Sequence, residues 1–251
     1  MLEVRQVYKN YKKSGKGFRK EKLDVLHGIS FSIRAGECVG LVGESGSGKS
    51  TLSRLILGLE KADSGTIRME DKEVTTWIKE NKGQMSVVFQ DYTSSANPYY
   101  KVSDIISELL RAFGTKEGIQ DQVEYLLEKV GLPLSVAHRY PHELSGGELQ
   151  RVCIARAISS NPRFLVLDEA ISSLDVSTQS QIMELLYKLK ENMNMTILFI
   201  AHDLQAVSHI CDRIMFLENG IIVEQIASKS LSEVQNEYAK RLLHSVIPFN
   251  V

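Results

Sequence analysis

Gly43-Glu44-Ser45-Gly46-Ser47-Gly48-Lys49-Ser50-Thr51 is the stretch that decides how this chain folds. Ahead of it, Glu37 to Val42 (ECVGLV) reads as a short, apolar, buried strand; behind it, Thr51 to Leu59 (TLSRLILGL) repeats apolar residues at helical spacing. Strand, glycine-rich loop and helix in that order are the context in which glycine, four residues, glycine, lysine, serine makes a phosphate cradle. Backbone N–H groups converge on the phosphates, and side chains larger than hydrogen would block the approach. Lys49 is expected to reach the β- and γ-phosphates of a nucleotide, Ser50 to hold Mg²⁺, and the positive end of the following helix to lie under the phosphates.

Composition allows an ordinary globular protein: 43% of the 251 residues are hydrophobic and 24% charged. That length suits one large domain or a core with an inserted subdomain. With 30 Lys+Arg against 31 Asp+Glu the formal net charge is −1, so nothing global argues for nucleic acid. The one basic cluster, Lys12 to Lys22, is rich in glycine and lysine and reads as a solvated loop tip. No apolar run approaches the roughly 18–20 residues that cross a bilayer, so any membrane crossing is expected of other chains. Met1-Leu2-Glu3-Val4-Arg5 lacks a signal-peptide core, which gives the expectation of a cytoplasmic chain. Cys38, Cys153 and Cys211 stand far apart in apolar surroundings and read as reduced core residues. His138 and His142 are four apart, but Pro141 interrupts the helix that a metal pair would need, so no metal site is expected there. Trp77, the single tryptophan, sits in a polar stretch and receives no role.

Short strand patterns fill the chain before the loop: LEVRQV from Leu2, VLHGISFSI from Val25, then ECVGLV. They predict a small antiparallel layer beside the loop strand. Thr66 to Glu70 reads as another short strand and Gln84 to Gln90 as a buried one ending on glutamine. Val102, Ile105, Ile106, Leu109, Leu110 and Phe113, then Ile119, Val123, Leu126, Leu127 and Val130, recur at three- and four-residue steps and predict two amphipathic helices. These lie between Gln90 and the next buried strand, Arg163 to Leu167, as a helical insert able to move against the core. Beyond Asp168-Glu169 come a helix with Ile182, Leu185, Leu186 and Leu189 inward and a strand from Met195 to Ala201. Such alternation predicts a mostly parallel sheet with helices on both faces. Asn219-Gly220 between apolar strands is a hairpin signal, and the last twenty residues read as a short helix ending near Pro248.

A phosphate cradle needs a second metal contact and a group to activate water, both from the tip of a neighbouring buried strand. Phe164-Leu165-Val166-Leu167 delivers Asp168, placed to hold Mg²⁺ through water, and Glu169, placed to accept a proton from the attacking water. Leu144-Ser145-Gly146-Gly147-Glu148 is a further phosphate-binding candidate: Ser145 can cap the following helix while the two glycines leave its N–H groups open.

In this order the motifs resemble the nucleotide-binding subunits of ATP-binding cassette (ABC) transporters over nearly the whole chain. The matching pieces are Walker A (Gly43 to Thr51), Gln90 as the Q-loop, the LSGGE signature, Walker B with its glutamate (Phe164 to Glu169), Ser173-Leu174-Asp175 as the D-loop and His202 as the switch histidine. Tyr11 matches the aromatic that stacks on adenine, with Tyr8 as a nearby competitor. The resemblance implies an α/β P-loop cassette: a mostly parallel core sheet and antiparallel β layer in residues 1–90 and 161–251, a RecA-like core, and a helical subdomain with the signature in residues 91–160. It further implies ATP and Mg²⁺ as ligands, with Ser50, Gln90 and Asp168 around the metal and Glu169, His202 and Gln90 in catalysis. Head-to-tail dimerisation would bring Ser145, Gly146 and Gly147 of one chain to the γ-phosphate on another chain's Lys49, with Asp175 at the dimer contact.

Val88-Phe89-Gln90-Asp91 with Asn97-Pro98, Arg139 to Leu144, and Leu242 to Pro248 look like the dipeptide, oligopeptide and nickel importer ATPases. The absence of a long cysteine-bearing extension, with Ala170 after the glutamate and Gln150-Arg151-Val152-Cys153, looks most like the nickel or metal–metallophore branch. The resemblance then implies a second cassette as heterodimer partner, two permeases, an external binding protein and a place on the inner face of the membrane. Di- or oligopeptide uptake is the alternative cargo, and a soluble nucleotide-driven switch the remoter one. Two departures stand out. Glu148 replaces the glutamine of many relatives, adding negative charge expected to slow turnover, and Tyr99-Tyr100 replaces a basic residue on the surface expected to face the permease.

Overall fold

A computed structural model describes residues 1–12, 22–172 and 174–246. Most of the basic cluster, Ser173 and Pro248 lie outside the described residues. In chain order the elements begin with β1 (Leu2–Lys12), β2 (Lys22–Ile33), β3 (Cys38–Val42), α1 (Lys49–Ile56), β4 (Ser64–Met69), β5 (Lys72–Glu73) and α2 (Val74–Glu80). They continue with β6 (Met85–Phe89), α3 (Tyr92–Ser95), α4 (Val102–Ala112), α5 (Ile119–Lys129), α6 (Gly146–Ile158), β7 (Phe164–Asp168) and α7 (Val176–Met193). The last are β8 (Thr196–Ala201), α8 (Leu204–Ile210), β9 (Arg213–Glu218), β10 (Ile221–Ala227) and α9 (Glu237–Val246). Two compact units result: residues 1–80 with 200–251, and residues 81–199. The expected helical subdomain, residues 91–160, falls within the second.

In the first unit, β2-β1-β4-β5 form an antiparallel sheet, Leu2 standing opposite Ile33 on one side and Met69 on the other. Leu2, Val4 and Val7 of β1 are buried, as are Leu26, Ile29 and Ile33 of β2. The expected antiparallel layer is therefore present, with longer strands than the sequence pattern marked. β3 is buried at every residue and runs parallel to β9, Gly40 opposite Ile214 and Val42 opposite Phe216. That burial on both faces is why CVGLV reads as a continuous apolar run. β9 and β10 form the expected hairpin, with Asn219 at φ 46° and Gly220 at φ 76°, the left-handed pair of a two-residue turn. Trp77 is fully buried on α2, its Nε1 donating to the Glu70 carboxylate at 3.0 Å. The polar stretch around it had hidden a core anchor.

In the second unit, β6 and β7 run parallel, Phe89 opposite Asp168. The expectation of a buried β6 fails: only Val88 is buried and Phe89 is 39% exposed. β6 ends its sheet, so one of its sides lacks a strand neighbour among the described residues. β7 is buried throughout and extends through Asp168, one residue beyond the apolar run. Val102, Ile105, Ile106 and Leu110 on α4, with Val123, Leu126 and Leu127 on α5, are buried as the periodicity required; each such side chain contributes about 1.5–3 kcal/mol. Phe113, expected to extend the α4 stripe, is 45% exposed at the helix C-cap, where the turn carries it off the apolar face. All three cysteines are buried thiols outside any disulfide among the described residues, with the Cys38 and Cys211 sulfurs 3.3 Å apart. His138 and His142 stand on separate short 3-10 helices, and His142 stacks on Tyr140. No helix among the described residues is long and apolar enough to cross a membrane.

Candidate active site

The loop between β3 and α1 is shaped by contacts that leave no room for larger residues. A Cβ at Gly43 would lie 2.3 Å from the Leu217 carbonyl oxygen and 2.7 Å from Ser47 Oγ. Gly48 caps α1 at φ 109°, a backbone conformation open to glycine and strained for the rest, and no side chain among the described residues caps the helix. Lys49 folds back over the loop and donates through Nζ to the carbonyls of Gly43 at 2.7 Å and Glu44 at 3.0 Å. Glu44, Ser45, Gly46 and Ser50 are exposed, whereas Ser47 and Thr51 are buried. Ser47 Oγ, 5% exposed at the residue, has no hydrogen-bond partner among the described residues. A buried hydroxyl donor, an ammonium and a first helical turn without acidic residues suit a chain of phosphates. The loop is held from behind: the Gly220 N–H donates to the Ser47 carbonyl and the Glu44 N–H to the Tyr238 hydroxyl.

Tyr11 lies on β1, half-buried, its hydroxyl donating to Glu60 at 2.5 Å and the Lys9 ammonium 5.2 Å from its ring centre. Burial, then the bond to Glu60, pushes its hydroxyl above the usual tyrosine range. Tyr8, the competitor, is 43% exposed. His202 is exposed between β8 and α8, where Asp203 caps α8 by accepting from the Gln205 N–H.

In the second unit, Asp168 ends β7 buried, and Glu169 follows half-exposed at φ 50°. A glutamate in that left-handed region is strained, and such strain gathers at functional positions. The Ser172 hydroxyl and N–H both donate to the Glu169 carbonyl, closing the turn that fixes this backbone. Gln90 is exposed, and its Nε2 donates to Ser172 Oγ at 3.4 Å. Gln90 and the turn carrying Glu169 thus share one serine, a link without any local sequence pattern. Gln90 and Asp168 each carry a side-chain oxygen, the kind of donor a hard cation such as Mg²⁺ takes.

Ser145 caps α6 and is exposed, as is Gly146, over which the Tyr92 hydroxyl lies 2.8 Å from where a Cβ would stand. Gly147 is required by packing: a Cβ there would meet the Thr178 methyl at 2.7 Å. Glu148 completes a capping box, its Oε2 accepting from the Ser145 N–H at 2.9 Å and from the Ser145 hydroxyl at 2.8 Å. Those donations hold its carboxyl below the ordinary glutamate range. Ser145-Gly146-Gly147-Glu148 is a readable S-x-x-E box, which reading Glu148 as a stray charge had overlooked. Asp175 of the D-loop is exposed and caps α7, accepting from the Thr178 N–H and from the Ser177 and Thr178 hydroxyls, which keep it ionised.

A strand–loop–helix phosphate cradle and a strand-end aspartate–glutamate pair define a P-loop ATPase. A family model described as ABC transporter matches residues 26–172, and the chain is an ATP-hydrolysing cassette of the ABC transporter family. It is 42% identical over 251 residues to the metal-staphylopine import system ATP-binding protein CntF of Staphylococcus aureus, covering 99% of this chain and 100% of that one. It is 38% identical to the nickel import ATP-binding protein NikE of Rhodospirillum rubrum, covering 99% and 92%. The solved dimeric cassette MJ0796 in a post-hydrolysis state with ADP and Pi superposes with a TM-score of 0.79 at 28% identity, covering 91% of this chain and 99% of that one.

Proposed function

We propose that this cassette powers uptake of a metal ion or metal–metallophore complex by an ABC importer, working on the inner face of the cell membrane. The names of the relatives at 42% and 38% identity support the cargo class. A putative peptide import ATP-binding protein of Brucella ovis, 39% identical, supports di- or oligopeptide uptake as the second reading. The partners in this reading are a second cassette, two permeases and an extracytoplasmic binding protein.

Gly43 to Thr51 binds the phosphates, with Lys49 on the β- and γ-phosphates and Tyr11 against the adenine. Ser50, Gln90 and Asp168 would hold Mg²⁺, which when bound would supply positive charge to the phosphates. Glu169 accepts the proton of the attacking water, and His202 hydrogen-bonds the γ-phosphate. Ser145, Gly146 and Gly147 reach the nucleotide of the partner cassette, beside Asp175. The helical subdomain, residues 91–160, follows nucleotide occupancy through Gln90.

The observation that carries the catalytic assignment is the strained Glu169, directly after buried Asp168 and pinned through Ser172. Replacing Glu169 by Gln is expected to retain ATP binding and lower turnover at least 100-fold, as loss of a general base does. The assay is ATP hydrolysis by the chain alone and mixed with its partner cassette; turnover within tenfold of wild type removes Glu169 as the base. Uptake of radiolabelled nickel against a labelled dipeptide by the reconstituted importer separates the two cargo readings.

A further inference from the structure

The signature departs from a neutral glutamine at Glu148, and the structure places that carboxylate on the very hydroxyl the signature offers. Ser145 Oγ donates its single proton to Glu148 Oε2 at 2.8 Å, while one of its lone pairs accepts from the Glu148 N–H at 3.3 Å. The same Oε2 accepts from the Ser145 N–H at 2.9 Å. A carboxylate is acceptor-only, so Ser145 is bound to point its proton inward, towards its own chain. The donations that hold this carboxyl below its usual range also keep it ionised at neutral pH.

We infer that Glu148 is a positioning residue that withholds the Ser145 proton from the partner cassette's γ-phosphate and so raises the ATP concentration at which the composite site closes. This rests on the reading in which Ser145 contacts that phosphate in trans. To serve a phosphate oxygen, the Ser145 hydroxyl must rotate its proton away from a charged acceptor and leave that carboxylate with one bond fewer. A glutamine would act differently: its Oε1 keeps the backbone bond from the Ser145 N–H, its Nε2 donates to Ser145 Oγ, and the serine proton is released outward. Hydrogen bonds to a charged acceptor exceed neutral ones by roughly 1 kcal/mol, which corresponds to about fivefold in the ATP concentration for half-maximal turnover.

The test is ATP hydrolysis against ATP concentration in the assembly that turns over, the chain alone or with its partner cassette, for wild type, Glu148→Gln, Ser145→Ala and the double variant. Expected is a half-maximal ATP concentration about fivefold lower in Glu148→Gln at nearly unchanged kcat, raised in Ser145→Ala, and no effect of Glu148→Gln once Ser145 is alanine. Thermal melting of Glu148→Gln close to wild type excludes a lost cap as the cause. A shift in Ser145→Ala with none in Glu148→Gln overturns this inference alone. No shift in Ser145→Ala overturns the trans contact and this inference with it. Additive effects in the double variant overturn the positioning role.

Discussion

The Tyr238 hydroxyl accepts the backbone N–H of Glu44 at 2.8 Å, joining helix α9 to the phosphate loop across 194 residues of sequence. Tyr238 is 4% exposed, so the bond is shielded and the loop's entry is fixed by a residue outside the motif. Removing the hydroxyl leaves the Glu44 N–H to water and loosens the loop. Replacing Tyr238 by Phe is expected to cost about 1 kcal/mol of stability and to raise the ATP concentration for half-saturation several-fold. Equilibrium nucleotide binding and thermal melting check this; unchanged affinity would mean that the loop keeps its shape unaided.

Gln150 offers a prediction of opposite sign. It lies fully buried on α6, and neither side-chain polar atom has a hydrogen-bond partner among the described residues. A buried amide without partners costs about 1–3 kcal/mol, whereas methionine fills a similar volume without that penalty. Gln150→Met is therefore expected to raise the chemical-denaturation midpoint, by about 1 kcal/mol or more in stability. A destabilised variant would show that the amide is satisfied in solution.

Asp91 gives a pH dependence. It caps α3, accepting from the hydroxyls of Ser94 and Thr93 and from the Ser94 N–H, and its carboxyl is lowered from 3.8 to about 2. A lowered folded-state value means that the stabilisation is fully present above 3.8 and is lost as pH falls through about 2. Asn caps as well but does not titrate. The melting-temperature gap between wild type and Asp91→Asn is expected to hold steady near neutral pH and to narrow below 3.8. A gap that stays constant down to pH 2 would sever the cap from the titration.

What the sequence made readable was local. Gly43 to Thr51, the α4 stripe short of Phe113, the α5 stripe and the Asn219-Gly220 turn each carry their own spacing, and each stands where spacing put it. What stayed hidden depends on distant partners. Tyr238 has no local pattern that aims it at Glu44, and Trp77 is buried with its indole N–H donating to Glu70, a partner its polar neighbours do not announce. The exposure of Phe89 follows from a strand's place at a sheet edge, which the run QMSVVFQ does not encode. Among site residues, Ser172 escaped notice because serine after Walker B is unremarkable until its bonds to Gln90 and the Glu169 carbonyl are seen.

The hairpin tip carries a consequence for the order in which this molecule comes into being. Gly220 donates to the Ser47 carbonyl, its own carbonyl accepts from the His27 N–H, and Leu217 sets how near Gly43 can come. A ribosome makes residue 48 well before residue 220, and contacts so distant in sequence form slowly. The nucleotide pocket is thus completed only once the β9–β10 hairpin has been made. A growing polypeptide that has already exposed its Walker A residues cannot yet hold ATP in this geometry, and energy use waits on that hairpin.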